Sequence, residues 1–405
     1  MLLSVTVPAY QVEEYLPRCL ESLISQSLQD LEVIVVNDGS TDNTGTICDD
    51  YASRDPRFKI IHQANKGLVA ARKAAAEVAR GRYIACVDGD DYLDRHFCGD
   101  LMNIALDTSA DVVVGRHIRD YRDTRQEIAP AVAPGIYGGA DLCKVLSRYI
   151  SDRPFFSHGI PTYLWGKLFR RELYLEAQSL VPDHVTIGED AACVYPMVPR
   201  CSTLVVSRVA GYHYVQRQSS MLKTGAGNVC RELSKIASLF GFLRPALAGV
   251  IEDAGITQQL KEYEFSQIVI RSGGVLSLPD GRPTVFGRAL DPGTKVAVLS
   301  AGTFGQMMYR RLRAFDGVEV VAWVDHDWIQ YRHDGLPVSP ESELLDSVID
   351  VVIVASLSEI FINEARCRLS GMGIGKSKIL HACQPEDIDR AIGEIYALGA
   401  GHYGS

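Results

Sequence analysis

From Leu3 to Val87, apolar β-branched runs alternate with helical patterns, and that alternation commits the chain to an α/β architecture. Leu3–Val7, Leu31–Val36, Phe58–His62 and Arg82–Val87 read as strands. Glu13–Gln26 sets Leu16, Leu20, Leu23 and Ile24 at helical spacing, and Thr41–Ala52 and the alanine-rich Leu68–Ala79 read as further helices. Strands spaced by helices predict βαβ units and a parallel sheet. Ligands of such sheets bind beyond the carboxyl ends of the strands. Polar clusters fall there at Pro8-Ala9-Tyr10, Asn37-Asp38-Gly39-Ser40, His62–Gly67 and Asp88–Asp91.

The last cluster is the most unusual. In Tyr83-Ile84-Ala85-Cys86-Val87-Asp88-Gly89-Asp90-Asp91-Tyr92-Leu93 a buried-type strand runs straight into crowded carboxylates. Adjacent carboxylates repel unless a positive charge separates them. The D-x-D spacing puts Asp88 and Asp90 on one side of an extended chain, where they suit Mg²⁺ or Mn²⁺ with a diphosphate completing the shell. Such an ion acts as a Lewis acid on a departing diphosphate. The plain alternative is a solvated Asp-Gly turn.

Other strand ends carry two readings each. Asp38 can accept from a ribose or base, or serve an Asx-turn. Asn65 can read a base or ribose by its amide, Gly67 permits close backbone approach, and Arg72 offers a fork to phosphate or is a surface arginine of a capped helix. Glu189-Asp190 opens an apolar helical stretch. Asp190 could take a proton from a hydroxyl, or the pair could be the charge that a helix N-terminus attracts, and the residues alone favour the latter. His213 could ligate a metal, although a hydrogen-bonded structural histidine is the commoner role. Arg217 and Ser220 suit a loop that closes on phosphate.

Composition narrows the class. With 47% hydrophobic and 22% charged residues among 405, the chain has ordinary globular balance for two or three domains. A net charge of −9 argues against nucleic acid as a partner. The ten cysteines form no CxxC pair and no zinc spacing; a reducing, cytoplasmic compartment is expected. The start MLLSVTVPAY goes directly into a strand pattern without signal-peptide character. No apolar run approaches the ~20 residues of a membrane span, so a soluble protein, at most peripheral at the inner membrane face, is expected.

Residues 101 to about 220 are more mixed, with a strand at Asp111–Gly115 and a helix at Gly139–Ile150, and residues 222–285 read as largely helical. In that stretch Leu233, Ile236, Leu239, Phe240 and Leu243 form an apolar stripe that suits a domain contact, a membrane surface or a homodimer. Near Asp291-Pro292-Gly293 a second doubly wound unit begins, with strands Lys295–Leu299, Val318–Val324 and Val351–Ala355 and a helix signal at Glu341–Ser347. Its Ser300-Ala301-Gly302-Thr303-Phe304-Gly305 resembles the G-x-G-x-x-G fingerprint with the first glycine replaced, and Asp325 stands where a ribose-binding acid belongs. NAD(P) binding there and a purely structural or assembly role are both open, with the second favoured.

Seven segments together resemble family 2 glycosyltransferases of the GT-A nucleotide-sugar-binding fold. They are SVTVPAYQVEEYL, VVNDGSTDNT, NKGLVAARKAA, YIACVDGDDYL, LWGKLFRREL, IGED and YHYVQRQSS, in the family's order across half the chain. The resemblance implies inverting, hexosyltransferase-type transfer from a nucleoside diphosphate sugar, by family habit a UDP-sugar, to a glycan or lipid-linked acceptor in cell-surface polysaccharide synthesis. It implies that Pro8, Tyr10 and Asp38 hold the nucleoside, and that Asn65, Gly67, Arg72 and Gly89 lie near the base and diphosphate. Asp88 and Asp90 match the DXD metal motif. Asp190 matches the base, with Glu189 beside it, and Arg217 and Ser220 match the closing loop. Gln11 and Lys73 stand where the family often has Asn. The expected organisation is a GT-A domain over 1–220, a helical connector over 221–288, a Rossmann-like domain over 289–384, and a C-terminal helix and tail over 385–405. The rival readings are a nicotinamide-dependent oxidoreductase and an inactive carbohydrate-binding protein.

Overall fold

Strand and helix alternate through the first ninety-odd positions as the pattern predicts. In the computed structural model these are β1 (Leu3–Ala9), α1 (Leu16–Ile24), β2 (Leu31–Asp38), α2 (Thr44–Arg54), β3 (Phe58–Gln63), α3 (Leu68–Val78), β4 (Tyr83–Cys86) and β5 (Tyr92–Leu93). There follow α4 (Phe97–Thr108), β6 (Val112–Val114), β7 (His117–Asp120), β8 (Arg125–Ile128), β9 (Gly135–Gly138), α5 (Gly139–Leu146), β10 (Lys167–Arg170), α6 (Arg171–Leu180), α7 (Glu189–Met197), β11 (Thr203–Val206) and β12 (Tyr212–Val215). The structure describes all residues except 121–123, 153–155, 216–228, 249–254, 278–281, 384, 387 and 401–405, and the side chains of 398–400.

The chain divides into two units, Met1–Asp152 with His158–Gln218 and Ser238–Gln259, and Arg153–Ser157 with Ser219–Ala237 and Leu260–Ser405. The expected connector 221–288 is therefore shared between them. In the first unit, eight strands form one sheet in the order β3-β2-β1-β4-β10-β6-β11-β9. Strands β1 to β4 pair in parallel. The parallel pairing expected of the first hundred residues holds, and beyond them β10 runs antiparallel between β4 and β6 and β9 runs antiparallel to β11. A second sheet, β5-β12-β7-β8, was not foreseen. Its strands are short; β7 and β8 form a local antiparallel pair, but β12 reaches β5 and β7 from far along the chain, and no local pattern announces that pairing.

Strand β2 is buried along its whole length, because helices cover both faces of a parallel sheet. This burial includes Glu32, which is 1% exposed and lies opposite Ser4 in register. Its carboxylate accepts from Ser4 Oγ and the Arg80 backbone N–H, each at 2.7 Å, and from Lys59. Burial opposes its ionisation, but these donors outweigh burial and hold the group below its ordinary value of 4.5.

Helices α8 (Val229–Leu247) and α9 (Ile256–Ser272) are each divided between the two units. Gly273 and Gly274 then take φ of +60° and +71°, which ends the helix and turns the chain into β13 (Val275–Ser277), β14 (Pro283–Val285) and β15 (Arg288–Ala289). The stretch read as largely helical is so through α8 and α9, and the small antiparallel sheet at its end was not foreseen. Next come β16 (Lys295–Leu299), α10 (Thr303–Leu312), β17 (Glu319–Val324), α11 (Trp328–His333), α12 (Glu343–Asp346), β18 (Val351–Val354), α13 (Glu359–Gly371), β19 (Ile379–His381) and α14 (Ile388–Ala400). Strands β17-β16-β18-β19 are all parallel. Separate apolar clusters cover their two faces, with Met308 and Leu312 on one and Ile362, Ala365 and Leu369 on the other, which is a doubly wound arrangement. Among the described residues, no helix is long and apolar enough to cross a membrane.

Replacing Glu32 by Gln should cost about 2–3 kcal/mol at pH 7, because the buried donors lose a charged acceptor. A carboxylate held low in the folded state contributes stability that is present above its unfolded value and is lost as pH falls through the folded one. The gap between wild type and Glu32→Gln in urea melts should therefore narrow below pH 4.5. A gap that stays constant down to pH 3 contradicts this.

Candidate active site

Asp88 leaves β4 into a turn closed by Asp91 N–H donating to the Asp88 carbonyl at 3.0 Å. Gly89 is closely packed, since a Cβ there would lie 3.1 Å from the Pro8 carbonyl and 3.4 Å from Val12. The turn gathers carboxylate oxygens of Asp88, Asp90 and Asp91 within 4.8 Å of one another. Asp91 is 1% exposed and is anchored by the Tyr212 hydroxyl at 2.7 Å and the Val215 N–H at 2.9 Å. Burial, then Asp90 and Asp88, push Asp91 well above the ordinary carboxylate range. Asp88, with 29% of its side chain still exposed, is pushed up to about 7. Burial leads, and Asp90, Asp190 and Glu189 outweigh the opposing pull of Arg72. An all-oxygen donor set this crowded fits a hard divalent cation.

Arg72 departs from its expected role. It is 2% exposed and pairs with Asp190, with Asp88 at 3.5 Å and with Glu189 at 3.8 Å, while its Nε has no hydrogen-bond partner among the described residues. Its fork is taken by protein carboxylates rather than turned outward to a phosphate. Glu189 and Asp190 open α7, so the helix-terminus reading holds together with their position beside the acidic turn. Asp190 Oδ2 also accepts from the Leu164 N–H at 3.3 Å. A single buried guanidinium joins Asp190 to Asp88.

Asp38 is 4% exposed, and its oxygens accept from Gln63 Nε2 at 2.7 Å, Lys66 N–H at 2.9 Å and Gly67 N–H at 2.8 Å. It fixes the loop carrying Asn65, whose side chain is exposed. Gly67 adopts φ +88° with nothing near a would-be Cβ, so the backbone angle and not close approach demands glycine. Pro8 is half-buried within β1, which ends at Ala9, and Tyr10 beyond it is 50% exposed. Gln11, where the resemblance suggested Asn, braces the second strand end through Thr41 and Asp42.

His213 as a metal ligand is a correction. Side chains alternate along β12: Tyr212 meets Asp91 and Trp165, and His213 faces away. Its ring stacks on Tyr92 at 4.1 Å, and its nitrogens contact Asp120 at 3.2 Å and Asp94 at 3.1 Å. Arg217 and Ser220 lie outside the described residues. The sequence reading missed Asp91 and Tyr212 as parts of the corner. The adjacent third carboxylate and the Y-x-Y alternation were the available signals.

The sequence comparisons agree with this geometry. The model of Glycosyl transferase family 2 matches residues 4–153. Glycosyltransferase GlyG of Streptococcus pneumoniae serotype 4 is 32% identical over 236 residues, which cover 55% of this chain and 73% of that protein. The chain belongs to glycosyl transferase family 2. The uncharacterized glycosyltransferase EpsJ of Bacillus subtilis is 36% identical over 191 residues, 47% of this chain. This family 2 chain spans about half the length of EpsJ and of the putative glycosyltransferase EpsH, 54% and 49%. S. aureus TarS 1-349, solved in complex with UDP-GlcNAc, aligns with a TM-score of 0.52 at 19% identity over 67% of this chain and 80% of that one, a likeness of fold. The GT-A expectation for the glycosyltransferase unit stands.

The doubly wound unit does not present a dinucleotide site in the expected form. Asp325 accepts from the Ala301 N–H at 2.7 Å and the Asp327 N–H at 2.8 Å, so the ribose-binding position is occupied by the turn itself. Ser300 takes φ +95° where the fingerprint has glycine. Gly305 serves packing, since its Cβ would fall 2.2 Å from the Ser300 carbonyl.

A cation at this corner must displace the proton that Asp88 carries below about pH 7. Mn²⁺ affinity measured by calorimetry should therefore rise about tenfold from pH 6 to pH 8, and Asp88→Asn should flatten that rise. Affinity independent of pH in the wild type contradicts it.

Proposed function

We propose that this chain is a metal-dependent inverting glycosyltransferase that moves a sugar from a nucleoside diphosphate sugar to a hydroxyl of a glycan or lipid-linked acceptor in cell-surface polysaccharide synthesis. The observation that carries this reading is the joining of the Asp88–Asp91 corner to Asp190 through Arg72 at the carboxyl edge of the sheet. UDP is the preferred nucleotide, in keeping with family habit and with the UDP-GlcNAc held by TarS. A divalent cation bound by Asp88 and Asp90 would neutralise charge on the leaving diphosphate. Asp91, anchored by Tyr212, keeps the turn in the shape that presents both carboxylates. Asp190 accepts the proton of the acceptor hydroxyl as its oxygen bonds to the anomeric carbon and the bond to the diphosphate breaks on the opposite face. Glu189, in the same helical turn, adds negative charge beside Arg72.

A panel of nucleotide sugars with Mn²⁺, read by released nucleoside diphosphate, tests the activity. Asp90→Asn should lower metal-dependent turnover by about 100-fold or more. Asp190→Asn should abolish transfer and leave donor affinity within a few fold. Wild-type transfer by Asp190→Asn removes the base assignment.

A further inference from the structure

Lys167 is 1% exposed in the middle of the large sheet. It opens β10, opposite Val114 of β6. Alternation along the strand puts it on the same face as Phe169, which packs on Tyr174 of α6 with ring centroids 5.6 Å apart. Burial pulls its ammonium down to about 7, opposed by Asp190 and Cys86. The neighbouring His117 is itself lowered to about 4, by burial and then by Arg119 and Lys167. Placing a lysine here is costly, and an apolar chain of similar length would satisfy the sheet at less desolvation cost.

The ammonium has a specific partner. Lys167 Nζ donates to the Tyr163 carbonyl at 2.5 Å and lies 4.1 Å from the centre of the Tyr163 ring. The peptide group containing that carbonyl also contains the Leu164 N–H, which donates to Asp190 Oδ2. One peptide plane thus has a cation on its oxygen and the candidate base on its hydrogen. A donor on the carbonyl strengthens the N–H as a donor, because linked hydrogen bonds polarise one another. The plane is further fixed by Tyr163 stacking on Trp165 at 3.6 Å and by contact of the Tyr163 hydroxyl with His117 Nδ1 at 2.9 Å.

We propose that Lys167 is a positioning residue for Asp190, acting through the 163–164 peptide: it locks and polarises the plane whose N–H orients the carboxylate toward the acceptor. Arg72 holds the other oxygen of Asp190, so the two cations grip the base from opposite oxygens, one directly and one through the backbone. The proposal rests on Asp190 being the base, and its test separates the two claims.

Lys167→Met and Lys167→Gln are compared with wild type and Asp190→Asn for kcat, donor KM, Mn²⁺-dependent UDP binding and thermal unfolding, using the donor that the wild type turns over. Lys167→Met should lower kcat by about 10- to 100-fold with donor KM and UDP binding within twofold, and without loss of thermal stability. Lys167→Gln, which keeps a donor for the Tyr163 carbonyl, should recover part of kcat. Unchanged kcat in Lys167→Met overturns the proposal. So does a kcat loss matched by weakened UDP binding, or a Gln variant no better than Met. If Lys167→Met does not fold, the Gln variant decides by the same split between kcat and donor KM. Full transfer by Asp190→Asn, or no turnover of any nucleotide sugar by wild type, instead overturns the proposed function and this inference with it.

Discussion

A single buried guanidinium organises the acidic rim of the first unit. Arg72 comes from the first turns of α3, and its partners come from the turn after β4 and the start of α7. Stripping water from a cation is costly unless carboxylates replace it, and here three do. The consequence is geometric, because the metal-type corner and the candidate base cannot drift apart without exposing or orphaning that charge. The compensation is incomplete, since one arginine faces Asp88, Asp190 and Glu189 while Asp90 and Asp91 crowd the same turn. The raised values of Asp88 and Asp91 express that excess of negative charge, and a divalent cation with a diphosphate is the chemistry that would balance it.

The supporting residues follow the same logic at one remove. Tyr212 and the Val215 N–H fix Asp91 from β12. Asp38 uses its buried carboxylate to shape the loop before α3, and so sets where Arg72 enters the core. Gln11 ties the end of β1 to the loop after β2. Gln11 and Asp38 are thus both spent on backbone donors of a neighbouring loop. The rim is thereby rigid, while exposed groups such as Tyr10 and Asn65 face outward from it.

How much of this the sequence could tell depends on the range of the interaction. The first four strands and three helices of the chain were legible because periodicity and strand-end polarity are local. The acidic turn was legible because like charges rarely crowd after an apolar strand. Arg72 was not, since an arginine in an alanine-rich helix looks exposed until Asp190, 118 positions away, is folded against it. His213 was misjudged because its face of β12 depends on pairing with β5 and β7, which local pattern does not reveal. The antiparallel insertion of β10 was equally hidden, and with it the burial of Lys167. In the second unit the fingerprint glycine at 305 was readable, but the bond from the Ala301 N–H to Asp325 was not.

Where a cation settles when nucleotide is present decides the role of the acidic corner. Crystals of the protein grown with Mn²⁺ and UDP, with anomalous scattering recorded at the manganese edge, address this directly. The prediction is a single strong peak between the Asp88 and Asp90 carboxylates, shared with the diphosphate, and an undisturbed contact between Arg72 and Asp190. Bound nucleotide with no manganese at that corner, or with manganese held elsewhere, would contradict it.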